Sequence, residues 1–86
     1  MNKKTKIYLG KYHLAYVRSD LLLAFRQKNR IINFMPWLRK TINDTFQIDL
    51  QGPDDIAALE AAVNSQYFDS IGDWLQNLMR NDIKFQ

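Results

Sequence analysis

Two periods organise the apolar positions of this chain. From Lys6 to Val17 the sequence is dense in aromatic and β-branched residues, and Tyr12, Leu14 and Tyr16 alternate with Lys11, His13 and Ala15. That is the period of two expected of a half-buried strand. The same period returns more strictly in Phe46-Gln47-Ile48-Asp49-Leu50-Gln51, which Gly52-Pro53 stops, so a second strand is expected there. The rest follows a helical period. Ser19-Asp20 offers an N-cap to the short apolar run Leu21, Leu22, Leu23 and Phe25, which gives way to the turn-like Gln27-Lys28-Asn29-Arg30. Asn33 can cap a second helix with Pro36 in its first turn and Phe34, Trp37, Leu38, Thr41 and Ile42 on one face, ending near Thr45. Pro53-Asp54-Asp55 makes a good first turn for a third helix carrying Ile56, Leu59, Ala62 and Val63. Either Asp69 or Ser70 caps a fourth, with Ile71, Trp74, Leu75, Leu78 and Met79 on its apolar face and Arg80 near its end.

The expected architecture is mainly α with a short antiparallel β-ribbon, in the order β-α-α-β-α-α, as one domain over residues 1–86. At 86 residues the core is close to the minimum for independent stability, and dimerisation would add to it. Apolar residues make up 47% of the chain, well above the balance of a disordered segment. A degenerate repeat relates residues 11–45 to 46–83: displaced by 37 positions, Trp37-Leu38 falls on Trp74-Leu75 and Leu22 on Leu59. Both tryptophans sit at apolar helix positions and are read as core.

Charge changes this picture through its distribution. Residues 1–40 hold ten basic side chains against Asp20 alone, a net of +9, whereas residues 41–86 carry a net of −6. This polarity fits either a polyanionic partner for the basic part or electrostatic docking of one half on the other. The absence of cysteine excludes disulfides, thiolate metal sites and cysteine nucleophiles, and makes the cytoplasm the default compartment. The basic N-terminus is followed by Gly10, Lys11 and His13 before any long apolar run, so neither a signal peptide nor a membrane span is expected. His13 is the sole histidine, the three glycines are isolated, and Asp54 and Asp55 are accounted for by the helix dipole. No catalytic constellation, metal set or cofactor loop emerges, and a binding protein is expected rather than an enzyme.

Residues 46–83 resemble a ribbon-helix-helix unit, the DNA-binding fold of the Arc, MetJ and ParD-type families. The segment Tyr67-Phe68-Asp69-Ser70-Ile71-Gly72-Asp73-Trp74-Leu75-Gln76-Asn77-Leu78-Met79-Arg80 is similar to the second-helix signature of ParD-type proteins, with Gly72 and Gln76 standing where that signature usually has Ser and Arg. Residues 11–45 as a divergent copy would make the chain similar to tandem proteins of the TraY relaxosome type. The resemblance implies a sequence-specific DNA-binding regulator, or an accessory protein of plasmid or phage DNA processing. A ribbon would enter the major groove, with helix N-termini anchoring phosphates at Asn33 and Ser70. Alternation then points Tyr12, Leu14 and Tyr16, with Phe46, Ile48 and Leu50, inward. Lys11, His13, Ala15, Gln47, Asp49 and Gln51 point outward. The candidate DNA contacts are Lys4, Lys6, Lys11, His13, Arg18, Lys28, Arg30, Asn33, Gln47, Gln51 and Ser70. Double-stranded DNA is the expected partner and a homodimer the expected state, with the ribbon formed within one chain or between two. The competing reading is a small protein-binding inhibitor or adaptor that engages a basic protein through its acidic C-terminal half.

Overall fold

Tyr12 to Arg18 does form a strand, but its partner is the segment just before it. The computed structural model describes residues 3–84, and in it β1 (Lys4–Leu9) and β2 (Tyr12–Arg18) form a two-stranded antiparallel hairpin. The stretch expected to be one strand from Lys6 to Val17 is therefore bent at Gly10-Lys11. Gly10 takes φ 59 at the first of two loop positions, a conformation that costs glycine little.

The register carries a second departure. Ile7 faces Ala15 and Tyr8 faces His13, so Leu14 is an extra residue in β2 with no partner. A bulge of this kind resets the alternation beyond it. Leu14 and Ala15 are consequently both buried, while Tyr12 and Tyr16, expected inside, are exposed, and Ala15, expected outside, lies in the core. Ile7, Leu9, Leu14, Ala15 and Val17 make the buried face of the hairpin.

Four helices follow: α1 (Ser19–Asn29), α2 (Phe34–Phe46), α3 (Pro53–Ser65) and α4 (Ile71–Lys84). The mainly helical architecture with a two-stranded antiparallel ribbon stands, but the element order is β-β-α-α-α-α. The strand expected over Phe46–Gln51 is absent. Phe46 ends α2, Gln47 closes it in a left-handed conformation, and residues 48–51 run unpaired to α3. The alternation there is nonetheless real: Ile48 is half-buried, Leu50 is buried, and Gln47, Asp49 and Gln51 are exposed. Alternation reports which side chains reach the core, and a connection threaded along a core produces it without any ladder partner.

The starts of α3 and α4 obey local rules. The cap expected from Ser19-Asp20 is not made: Arg18 holds the cap position of α1 without a side-chain cap, and Asp20 lies in the first turn, its Oδ1 accepting from the Leu21 N–H at 2.8 Å. Pro53 begins α3, and the Asp55 carboxylate accepts from the backbone N–H groups of Gln51 and Gly52 at 2.8 and 3.0 Å, closing the turn before it. Ser70 caps α4, its Oγ accepting from the Asp73 N–H at 3.1 Å.

The amphipathic α4 is the central element, burying Ile71, Trp74, Leu75 and Met79 and packing on α1, α3 and β2. Trp74 meets Phe46 with ring centroids 5.3 Å apart, and the half-buried Trp37 packs against Phe25 at 5.0 Å. Where α4 begins, Gly72 lies so close to β2 that a methyl group on it would overlap the Tyr16 carbonyl oxygen. One turn on, Gln76 Oε1 accepts from the Arg18 N–H at 2.6 Å. No described helix is long and apolar enough to cross a membrane.

Gly72→Ala is expected to destabilise the fold by about 1–3 kcal/mol, because the obstruction is backbone and cannot rotate away. Gly52→Ala, where the added methyl meets nothing within 4 Å, should change stability by less than about 1 kcal/mol. Urea denaturation of the two variants beside the parent chain checks the contrast.

Candidate nucleic-acid interface

The hairpin turns one face to the helices and the other to solvent. Three cross-strand pairs line the outward face: Lys4 with Arg18, Lys6 with Tyr16, and Tyr8 with His13. Their side chains interlock. His13 lies 4.5 Å from Tyr16 and 5.9 Å from Tyr8 between ring centroids, the latter edge to face. Lys6 Nζ sits over the Tyr16 ring at 5.9 Å, and Lys11, in the turn, over Tyr12 at 5.5 Å. Tyr8 and Tyr16 remain 46% and 47% exposed, although large aromatic rings usually bury most of their area. The paired positions cover roughly 13 Å along the strand, about four base-pair steps.

The sequence explains this surface once the hairpin is known. Residues 3–19 contain no carboxylate, and the alternation of β1 puts Lys4, Lys6 and Tyr8 on one side and Thr5, Ile7 and Leu9 on the other. Lys4 and Arg18 place like charges opposite each other, an arrangement that costs stability unless an anion intervenes. Asp20 partly supplies one: its carboxylate receives both Arg18 Nε at 3.1 Å and Arg18 Nη2 at 2.7 Å. That paired hydrogen bonding holds the Asp20 carboxyl below its usual range and raises the Arg18 guanidinium further.

The remaining candidate contacts are scattered. Lys28 is committed to α4, donating to the Asp82 backbone carbonyl at 2.6 Å and to its carboxylate at 3.1 Å. Arg30 adopts a left-handed conformation at the end of α1. Asn33 begins α2 without making a side-chain cap, and no acid lies in that first turn. Gln47 and Gln51 belong to the α2 to α3 connection and not to a ribbon; Gln47 donates to the Asp44 carbonyl and Gln51 to the Asp49 carboxylate. The structure thus brings together Lys4, Lys6, Lys11, His13 and Arg18. It leaves Lys28, Arg30, Asn33, Gln47 and Gln51 outside that group.

Ser70 is close to the ribbon but not free as a phosphate anchor, since its Oγ already caps α4 and Asp73 follows in the same turn. It lines a cleft of about 410 Å³ where α3 and the start of α4 meet β2. Sequence reasoning missed Tyr8, Tyr12 and Tyr16 as surface residues, and the signal for them was Gly10. Read as a turn and not as a strand interior, it folds β1 onto β2, and the bulge at Leu14 then turns Tyr16 to the outer face with Tyr8.

No family model, curated protein or solved structure matches this chain. What the molecule binds has to be read from the chemistry of the ribbon face.

The pairing that takes Lys28 out of the candidate group makes its own prediction. The hydrogen bond from Asn29 Nδ2, opposed by partial burial and reinforced by Lys28, holds the Asp82 carboxyl below its ordinary value. A depressed carboxylate stabilises the fold above the unfolded-state pKa near 4, and that contribution is lost as pH falls through the folded-state value. Asp82→Asn should therefore lose stability less steeply than the parent chain below about pH 4. Denaturant midpoints measured from pH 5 to pH 2 check this, and parallel curves would show that the clamp contributes nothing.

Proposed function

We propose that this chain is a DNA-binding protein, of a regulatory or DNA-processing kind, which lays the outward face of its β-hairpin in the major groove of a duplex. The observation that carries this reading is the run of three cross-strand pairs made wholly of cations and aromatic rings. A two-stranded ribbon has the dimensions that the major groove admits. Lys4, Lys6 and Lys11 supply phosphate contacts and direct donors beside Arg18, whose guanidinium is held by Asp20, while Tyr8, His13 and Tyr16 offer polar tips on flat apolar bodies. The ribbon-helix-helix resemblance pointed to the same mode of reading but placed its strand at Phe46–Gln51, where none forms, so the reading rests on the hairpin of β1 and β2, closed within one chain. A dimer is then not required to build the ribbon, and would serve to present two of them.

The alternative, capture of a basic protein by the acidic half, has less in its favour. Asp55 is spent on closing the turn before α3, Asp49 accepts from Gln51, and the acids are spread over several helix starts and connections.

Purified chain titrated against a random duplex at several salt concentrations should bind with a steep inverse dependence on salt, because counterion release dominates such affinities. Lys4→Gln with Lys6→Gln should flatten the slope of log K against log salt by about 1.8, roughly 0.9 for each phosphate no longer neutralised. Lys40→Gln, on α2 and paired with Asp44 at 3.6 Å, should leave the slope unchanged. Equal affinity for heparin and duplex DNA, or no effect of the ribbon lysines, would overturn the proposal.

A further inference from the structure

Two surface features away from the ribbon are accounted for neither by the core nor by groove binding. The first is Tyr67. After α3 the Phe68 N–H donates to the Val63 carbonyl at 3.1 Å and the Tyr67 N–H to the Asn64 carbonyl at 2.9 Å, the pair of bonds that closes a helix through a left-handed residue. Tyr67 is that residue, with φ 69, at a position where glycine is the usual occupant and a large side chain is strained. Its ring gains nothing from the fold in return. At 97% exposure it is the most exposed large apolar or aromatic side chain among the described residues.

The second is a shallow groove of about 430 Å³ where α1 turns into α2, lined by Leu23, Arg26, Gln27, Arg30, Ile31 and Ile32. The first four share one face of α1 at spacings of three and four residues. Leu23 and Ile32 are 58% and 84% exposed. Ile32 is held there, since Arg26 donates to the carbonyls of both Ile31 and Ile32 and fixes the turn that carries it. Clustered apolar surface on a fixed frame is characteristic of a contact site.

Charge selects the occupant. Arg30 is exposed, enters no ion pair among the described residues, and has no acid beside it in the groove. Asp69, two residues from Tyr67, is likewise exposed and outside every ion pair described. Two copies joined groove to groove would bring their Arg30 side chains together. Tyr67 and Asp69 instead offer the groove a ring and the opposite charge. Within one molecule the two features lie at opposite ends of α4. Tyr67 precedes its start, the groove sits at the end of α1 that Lys28 and Asn29 tie to Asp82, and the 14 residues between span roughly 20 Å.

We infer that the chain associates with itself head to tail, the Tyr67 ring of one copy entering the Leu23 and Ile32 groove of the next, with Asp69 facing Arg30. Such a contact joins two different surfaces, so each pair keeps one free ring and one free groove and can extend. Its small area makes it transient, and the aromatic anchor carries most of its energy. The inference goes beyond the DNA-binding reading and does not depend on it.

Sedimentation velocity of the full chain from about 10 μM to about 1 mM, the range in which transient contacts fill, should show a mean mass that rises with concentration past two chains. Tyr67→Gly should abolish the rise and melt at no lower temperature than the parent, because glycine relieves the left-handed position. Leu23→Gln with Ile32→Gln, which removes only exposed apolar surface, should abolish it as well. Mixing the two variants decides the arrangement. Each keeps the surface that the other lacks, so the mixture should form pairs and stop there. A mass that stays at one chain throughout, or association that either variant leaves intact, overturns the inference. A parent that stops at two chains, or a mixture that forms no pairs, overturns the head-to-tail arrangement.

Discussion

The fold depends on how closely the first turn of α4 can approach β2. An isolated two-stranded hairpin is marginal in water and needs a surface to lie on. Here the surface is a helix whose second residue, Gly72, has no side chain to hold the two backbones apart, so the turn closes onto the Tyr16 carbonyl. Gln76 then binds the Arg18 N–H on the same strand. At the other end of α4, Lys28 and Asn29 of α1 clasp Asp82. One helix is thereby tied near its start to the ribbon and near its end to the helix that the ribbon leads into. The apolar face of the hairpin is pressed against the core, and its opposite face is left outward on a fixed support.

That support decides what the chain's charge polarity becomes in three dimensions. Part of the basic excess is used internally: Lys28 on Asp82, Arg18 on Asp20, and Arg26 on the carbonyls of Ile31 and Ile32, where it steadies the turn into α2. What is left over is concentrated in the hairpin, where residues 3–19 bring no acid with them. Docking of one half on the other is thus represented by Lys28 on Asp82, while a polyanionic partner for the hairpin cations is a proposal. The alternation of β1 performs the sorting, because a strand with one buried face must send every second residue to solvent.

Much of this was legible in the sequence. Helical periodicity located all four helices, and Pro53 and Ser70 marked two of their starts through local geometry, whereas the expected caps at Ser19-Asp20 and Asn33 lie beside helix starts that no side chain caps. The β structure was less legible, since a strand is defined by a partner that period two does not identify. Phe46–Gln51 alternates more cleanly than β2 yet pairs with nothing, whereas β2 alternates imperfectly and pairs. Its bulge at Leu14 shifts the phase in mid-strand, so an unbroken alternation assigned Tyr16 to the wrong face, while Tyr12, opposite the buried Leu9, is exposed at the turn end of the hairpin. The candidate site suffered in the same way. Lys4, Lys6, Lys11, His13 and Arg18 were found as basic or polar residues near a strand, but Tyr12 and Tyr16 were assigned to the core and Tyr8 to no role.

The constraint acts through two residues of one helix. Gly72 and Gln76 are the residues through which α4 holds β2, one by lacking a side chain and the other by accepting the strand's last N–H. A serine at the first position would meet the Tyr16 carbonyl, and an arginine at the second has no acceptor to offer Arg18. A two-stranded ribbon leaves the far edge of each strand open, and here a helix start reduced to glycine, followed one turn later by an acceptor side chain, covers that edge of β2. The support of the hairpin is therefore set by what α4 omits at one position and what it offers at the next turn.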